Sequence, residues 1–235
     1  MFLLALDTCD SRGSIALLSG REILVEIPHA AAAEYSSWLL PAVDDLLRHH
    51  SLSHADLGGY AVASGPGSFT GVRIGLTTAK AWAEVYGKPI FPVSRLAILA
   101  DRAPQSAEFA ATFIDAQRKQ IFAALYRRDG SAWNALADEA VIDPTEFFND
   151  SVKSAQGHNL AWLSMDPDIL LANPIWNSQM ASGASITAVE PPLASSIGLY
   201  ALDGAVRQGI DALSLDANYV RRSDAEIFGK KAAGT

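Results

Sequence analysis

The sequence predicts an α/β chain built as two lobes, and three observations carry that reading. The first 27 residues read as three consecutive strands, a meander rather than the opening of a parallel dinucleotide-binding sheet. A segment with four glycines in eleven residues, 65–75, joins an apolar strand to a helical run. An apolar strand ending in aspartate occurs twice, as Leu3-Leu4-Ala5-Leu6-Asp7 and as Ala111-Thr112-Phe113-Ile114-Asp115, each before a turn and a returning strand.

The elements follow in order. Residues 2–8 form an apolar strand, 9–13 a turn, 14–19 the returning strand, Gly20-Arg21 a tight turn and 22–27 a third strand. This opening matches the actin-like fold, shared by sugar kinases and Hsp70, whose lobes begin with a β-hairpin around a phosphate. A helix over about 35–50 sets Tyr35, Leu39, Val43, Leu46 and Leu47 on one stripe. Pro41 either sits in its first turn or kinks a longer helix. A strand at 59–64 leads through the glycine segment into a helix at 70–86, which Gly87-Lys88-Pro89 ends. Residues 90–93 make a short strand, and Ser94 caps a helix to about residue 102.

Ala103-Pro104-Gln105-Ser106 reads as a linker. Residues 1–103 are therefore expected to form the N-terminal lobe and 104–221 the C-terminal lobe. The second lobe opens with strands at 108–115 and 120–127, joined by Ala116-Gln117-Arg118-Lys119. From 129 to 184 the signals are short and mixed. Pro191-Pro192 opens a helix over 193–208, with Leu193, Ile197, Tyr200, Ala201, Gly204 and Ala205 on one face. That helix can pack back on the N-terminal lobe. Residues 222–235 read as a tail.

Composition narrows the function. The chain has 235 residues, 49% hydrophobic and 19% charged, so it can bury a real core. A net charge of -8 disfavours a stand-alone nucleic-acid binder, and Arg127-Arg128, Arg221-Arg222 and Lys230-Lys231 are too short to make a basic patch. Cys9 is the only cysteine, which forbids an intrachain disulfide and fits a reducing compartment. The apolar run at 1–6 has no basic segment before it, and no run approaches the ~20 residues of a membrane span. A cytoplasmic, soluble protein is expected.

The glycine segment fails both standard nucleotide motifs. Gly65 and Gly71 bracket five residues where a phosphate-binding loop needs four, and Val72 stands in place of its lysine. Three residues separate Gly67 and Gly71 where the dinucleotide fingerprint needs two. Within the helix, Gly71 and Gly75 stand four apart and Ala79 continues the row. Glycine there costs about 1 kcal/mol against alanine, so a closely packed neighbour must compensate. That neighbour is either the helix at 35–50 or another subunit. Asp7 and Asp115 at strand ends either orient metal and phosphate or cap an Asx-turn. The five histidines show no metal-ligand spacing, and Cys9 reads as a small buried residue.

Gly-Pro-Gly-Ser-Phe-Thr-Gly-Val-Arg-Ile-Gly at 65–75 resembles the signature of the bacterial TsaB (YeaZ) family. Supporting pieces stand in the family's order: Leu4-Ala5-Leu6-Asp7-Thr8, Leu39-Leu40-Pro41, Pro92-Val93-Ser94-Arg95-Leu96, Ile114-Asp115-Ala116-Gln117-Arg118 and Tyr219-Val220-Arg221-Arg222-Ser223-Asp224-Ala225. The resemblance implies an actin-like fold and a role in making N6-threonylcarbamoyladenosine (t6A) at position 37 of tRNAs reading ANN codons. It further implies a non-catalytic scaffold that binds the catalytic TsaD-type subunit and the TsaE-type ATPase, and meets tRNA only through that complex. The catalytic relative's metal-binding His-x-x-x-His falls by register on Arg95 and Leu99, neither of which can replace it. No catalytic, metal or cofactor residue is therefore assigned. A nucleotide at the subunit interface and a homodimer in isolation both stay open.

The resemblance places the partner interface on the helices at 35–50 and 70–86, paired with their counterparts in a four-helix contact. The residues expected there are Tyr35, Trp38, Leu39, Val43, Phe69, Gly71, Val72, Gly75, Ala79 and Trp82. One segment departs from the family pattern: His-Ser-Glu-x-Leu is replaced by Tyr35-Ser36-Ser37-Trp38-Leu39. The alternative is an actin-like ATP-dependent phosphotransferase using Asp7 or Asp115. The lack of a Gly-Gly pair in the C-terminal half counts against it.

Overall fold

The structure, a computed structural model, describes residues 1–30, 33–176, 185–204 and 209. Its first sheet contains β1 (Phe2–Asp7), β2 (Ser14–Ser19), β3 (Glu22–Pro28), β4 (Leu57–Gly65) and β5 (Ile90–Ser94), in the order β3-β2-β1-β4-β5. The first three strands are antiparallel neighbours, while β4 runs parallel to β1 and β5 parallel to β4. The continuous apolar run of β1 suits its central place, where both faces are covered and Leu3 to Leu6 are fully buried.

The second sheet repeats this plan. It contains β6 (Phe109–Asp115), β7 (Ile121–Asp129), β8 (Ala132–Ala135), β10 (Leu160–Ser164) and β11 (Ile186–Ala188), with β9 (Ala140–Ile142) paired to β7. From its other end the order is β8-β7-β6-β10-β11, which, with β9 set aside, is the third, second, first, fourth and fifth strand of this half. Again an antiparallel hairpin opens the unit and the later strands are parallel. The repeated strand ending in Asp7 and Asp115 is the sequence trace of this duplicated, actin-like architecture.

Helices cover both sheets. On one face of the first sheet, α1 (Tyr35–His49) lies beside α2 (Phe69–Tyr86). Ser68 caps α2 by accepting from the Gly71 N–H, and Gly87 ends it in the left-handed region at φ 62°. The short α3 (Arg95–Asp101), capped by the Ser94 hydroxyl, touches strands of both sheets. In the second half, α4 (Pro144–Ala155) and α5 (Asp168–Leu171) help enclose a cluster in which Phe148 stacks on Trp162 at 5.1 Å and Trp162 meets Trp176 edge-on. The last described helix, α6 (Ala194–Leu202), returns to the first sheet, with Gly198 against Ala5 and Leu18. Ala5 and Leu6 point to opposite faces, and Leu6 pairs with Val62, which sits beside Gly75 of α2. So α2 and α6 sandwich the sheet.

Of the two places open to Pro41, the structure shows the one inside a longer helix: it lies within α1, exposed. The C-terminal helix is seen over Ala194–Leu202, and positions 205–208, 210–221 and the expected tail at 222–235 fall outside the described residues. The weak stretch at 129–184 holds β8, β9, α4, β10 and α5. The start of α4 carried a readable signal: Asp143 as cap, Pro144 at the first turn and Glu146 in it.

Candidate functional site

The glycine segment packs on its own lobe. Ser68 N donates to Cys9 O at 2.6 Å, and a Cβ on Gly67 would strike the Cys9 backbone. A Cβ on Gly71 would strike the carbonyl oxygen of Thr8, and one on Gly75 its hydroxyl. That hydroxyl donates to Gly71 O at 2.7 Å. The close neighbour that compensates for two helical glycines is therefore the end of β1, neither the helix at 35–50 nor a second subunit.

The ten expected interface residues divide accordingly. Leu39, Val43, Gly71, Val72, Gly75 and Ala79 are buried within the lobe by the chain's own packing. They form the apolar stripe, which in a lobe built of helices layered on a sheet faces the sheet. Tyr35, Trp38, Phe69 and Trp82 are half-buried and reach the surface. The outward side adds Leu40, 53% exposed, and Arg73, whose guanidinium lies 3.8 Å from the centre of the Phe69 ring.

Tyr35 gives the altered segment a polar role. Its hydroxyl donates to Asp10 O at 2.6 Å and accepts from Gly13 N at 3.1 Å, while its ring stacks on His29 at 3.9 Å. Burial and the nearby Asp7 raise its pKa, so it stays a neutral phenol. The residue in the family's histidine position thus ties the start of α1 to the β1–β2 turn.

Asp7 and Asp115 share one local geometry and differ in their wider surroundings. Each carboxylate accepts from the backbone N–H two residues on: Cys9 at 2.9 Å and Gln117 at 2.7 Å. Asp7 is fully buried, with Arg95 Nε 3.2 Å from its Oδ2. Arg95, also fully buried, reaches Asp10 Oδ2 at 2.7 Å, Pro66 O at 3.3 Å and Met165 Sδ at 3.2 Å. Burial opposes its charge, yet Asp7 and Asp10 hold it protonated. Burial also pushes Asp10 up, but Arg95 and the hydrogen bonds from Arg12 and Arg95 bring it down to about 2. Cys9 is inert in this setting: burial, then Asp7, raise its thiol well above the usual range.

Asp115 stands at a more open place. The turn beyond it holds Gln117, Arg118 and Lys119 at φ 62°, 57° and 63°, three consecutive left-handed residues without a glycine. A groove of about 690 Å³ beside this turn is lined by Asp115, Lys119, Asp143 and Asn173, among others. Its mixed charge favours no single ligand class.

Arg95 and Leu99 both lie on α3 with no exposure, inside the core rather than on an open metal site. Among the described residues, no group of three or more His, Cys, Asp and Glu side chains is placed to hold a metal ion. Sequence reasoning missed the parts played by Asp10, Arg12, Arg95 and Asp166. Arg95 meets Asp10 across 85 residues and Arg12 meets Asp166 across 154, so no local spacing signals either contact.

The fold and site define a two-lobed actin-like protein whose first hairpin is closed over by its own arginine. Residues 24–217 match the family model for TsaD, tRNA N6-adenosine threonylcarbamoyltransferase. The chain is 29% identical over 228 residues to the tRNA threonylcarbamoyladenosine biosynthesis protein TsaB of Bacillus subtilis (strain 168), covering 96% of each chain. It is 32% identical over 160 residues to TsaB of Escherichia coli (strain K12), covering 67% of this chain and 68% of that protein. The solved structure of YeaZ from Pseudomonas aeruginosa matches with a TM-score of 0.69 at 27% identity, over 91% of this chain and 96% of that one. The chain belongs to the TsaB (YeaZ) family of tRNA threonylcarbamoyladenosine biosynthesis proteins.

Proposed function

We propose that this chain is a non-catalytic scaffold subunit for t6A formation at position 37 of tRNAs reading ANN codons. In this reading it works in the cytoplasm by binding a TsaD-type catalytic subunit and a TsaE-type ATPase, and meets tRNA only through them. The observation that carries it is the use of Asp7. A carboxylate that would orient metal or phosphate in an actin-like enzyme is fully buried against Arg95. With Asp7 consumed structurally, the phosphotransferase alternative loses its best-placed group.

What the chain offers a partner is the outer side of α1 and α2. The buried stripe of each helix sets its orientation, and Leu40, Trp38, Phe69 and Arg73 then face outward at least in part. The half-buried aromatics and the arginine are of the kinds that interfaces enrich, and Leu40 adds exposed apolar surface on α1. The test is size-exclusion chromatography of the chain mixed with the TsaD-type subunit. Leu40→Glu and Trp38→Ala should abolish the complex peak while leaving the circular dichroism unchanged, and Val152→Glu on α4 should leave the complex intact. A complex that survives both substitutions on α1 contradicts the docking face.

A further inference from the structure

We propose that Arg12 is an interlobe latch that holds the two hairpins of this fold together through side chains of the chain itself. The proposal stands independently of the assignment to t6A synthesis. It begins with how firmly the β1–β2 turn is fixed to the first lobe. Arg95 Nη2 donates to Asp10 Oδ2 at 2.7 Å, and the Tyr35 hydroxyl bridges Asp10 O and Gly13 N. Asp10 Oδ1 also accepts from Arg12 N at 2.8 Å, and Asp10 Oδ2 from Arg12 Nη2 at 2.9 Å. The Arg12 side chain is thus aimed before it leaves its own lobe.

Its far end enters the second lobe. Arg12 Nη1 donates to Asp166 Oδ1 at 2.8 Å and to Met165 O at 3.1 Å, just beyond β10. Asp166 is fixed in turn, because its Oδ2 accepts from Asp115 N at 3.0 Å and its own N–H donates to Ser164 Oγ at 2.8 Å. Ser164 Oγ donates to Phe113 O at 2.8 Å, which ties β10 to β6. A chain of polar contacts therefore runs from α1 through Asp10, Arg12 and Asp166 to the end of β6. It joins the ends of β1 and β6, the equivalent hairpins of the two halves.

In hinge-bending proteins a ligand between the lobes supplies such cross-links, and closure depends on its binding. Here the chain's own side chains supply them. The pair is partly buried, with Arg12 34% and Asp166 21% exposed, so solvent screening weakens it less than a surface pair. Arginine suits the task because its fork holds Asp166 and Asp10 together.

Double electron–electron resonance tests this on the full chain. Spin labels are placed on Ser36→Cys of α1 and Lys153→Cys of α4, both exposed, while Cys9 is fully buried and takes no label. With Arg12 intact, one narrow distance is expected. Arg12→Ala should broaden it roughly twofold or add a second, longer distance, because the lobes regain a hinge. Asp166→Asn, which weakens the same contact from the other side, should do likewise. The double variant should match either single one, as expected when both changes remove one interaction. Both side chains are partly exposed, so neither change opens the core, and circular dichroism confirms the fold. Distributions that superpose on the parent for both single variants overturn the latch. Broadening that adds in the double variant also overturns it, since the two residues then act separately.

Discussion

Arg95 Nε lies 3.2 Å from Asp7 Oδ2, with both side chains fully buried. Asp7 ends β1 and Arg95 begins α3, so this contact fixes the glycine segment, the first hairpin and the interlobe helix around one charge pair. Removing one member leaves the other charged and buried. Arg95→Met or Asp7→Asn should each lower stability by about 3–5 kcal/mol. Asp7→Asn combined with Arg95→Met should cost less than the sum of the single changes. Urea unfolding of the four proteins of the cycle checks this, and additive losses would show that the two residues do not act as a pair.

Gly71 and Gly75 should behave as fold residues. A methyl group at 71 meets the backbone carbonyl of Thr8, which cannot swing aside. Gly71→Ala should therefore destabilise by about 1–3 kcal/mol despite the better helix propensity of alanine. Gly75→Leu, against the Thr8 hydroxyl and Val62, should fail to give soluble folded protein. Denaturant midpoints and soluble yields measure both. A well-folded Gly75→Leu would return this strip to the surface.

Asp10 predicts an acid-sensitive part of the stability. Its folded pKa, about 2, lies below the ordinary carboxylate value of 3.8. A depressed carboxylate contributes stability that is fully present above the unfolded pKa and is lost as pH falls through the folded one. The contribution is about 2 kcal/mol. The stability gap between the native chain and Asp10→Asn should thus be widest above about pH 5 and shrink steadily towards pH 2. Denaturant unfolding across that range measures the gap, and a pH-independent gap would contradict the charge pairing.

The fold was legible where information is local. Two apolar strands ending in aspartate, each with a returning partner, announced the duplicated hairpin, and the sheets bear it out through a repeated strand order. Ser94 and Gly87 mark helix ends by their own chemistry, and both do so in the structure. The glycine row was legible as a close contact, but its partner was not: the helical spacing says that something must approach, and only the fold shows it to be Thr8. The stripe of Leu39, Val43 and Ala79 likewise reads as apolar without saying whether core or partner covers it. Arg95 was invisible as a buried cation, because arginine after a capping serine ordinarily starts a solvated helical turn. Its carboxylates come from the first hairpin, some 85 residues earlier for Asp10.

The most direct test of the scaffold reading is reconstitution of t6A synthesis from the TsaD-type subunit, the TsaE-type ATPase, tRNA and the threonylcarbamoyl-adenylate donor, with and without this chain. Multiple turnovers should require the native chain, and they should be lost with Leu40→Glu although that variant folds. Full multi-turnover t6A formation without this chain would contradict the account.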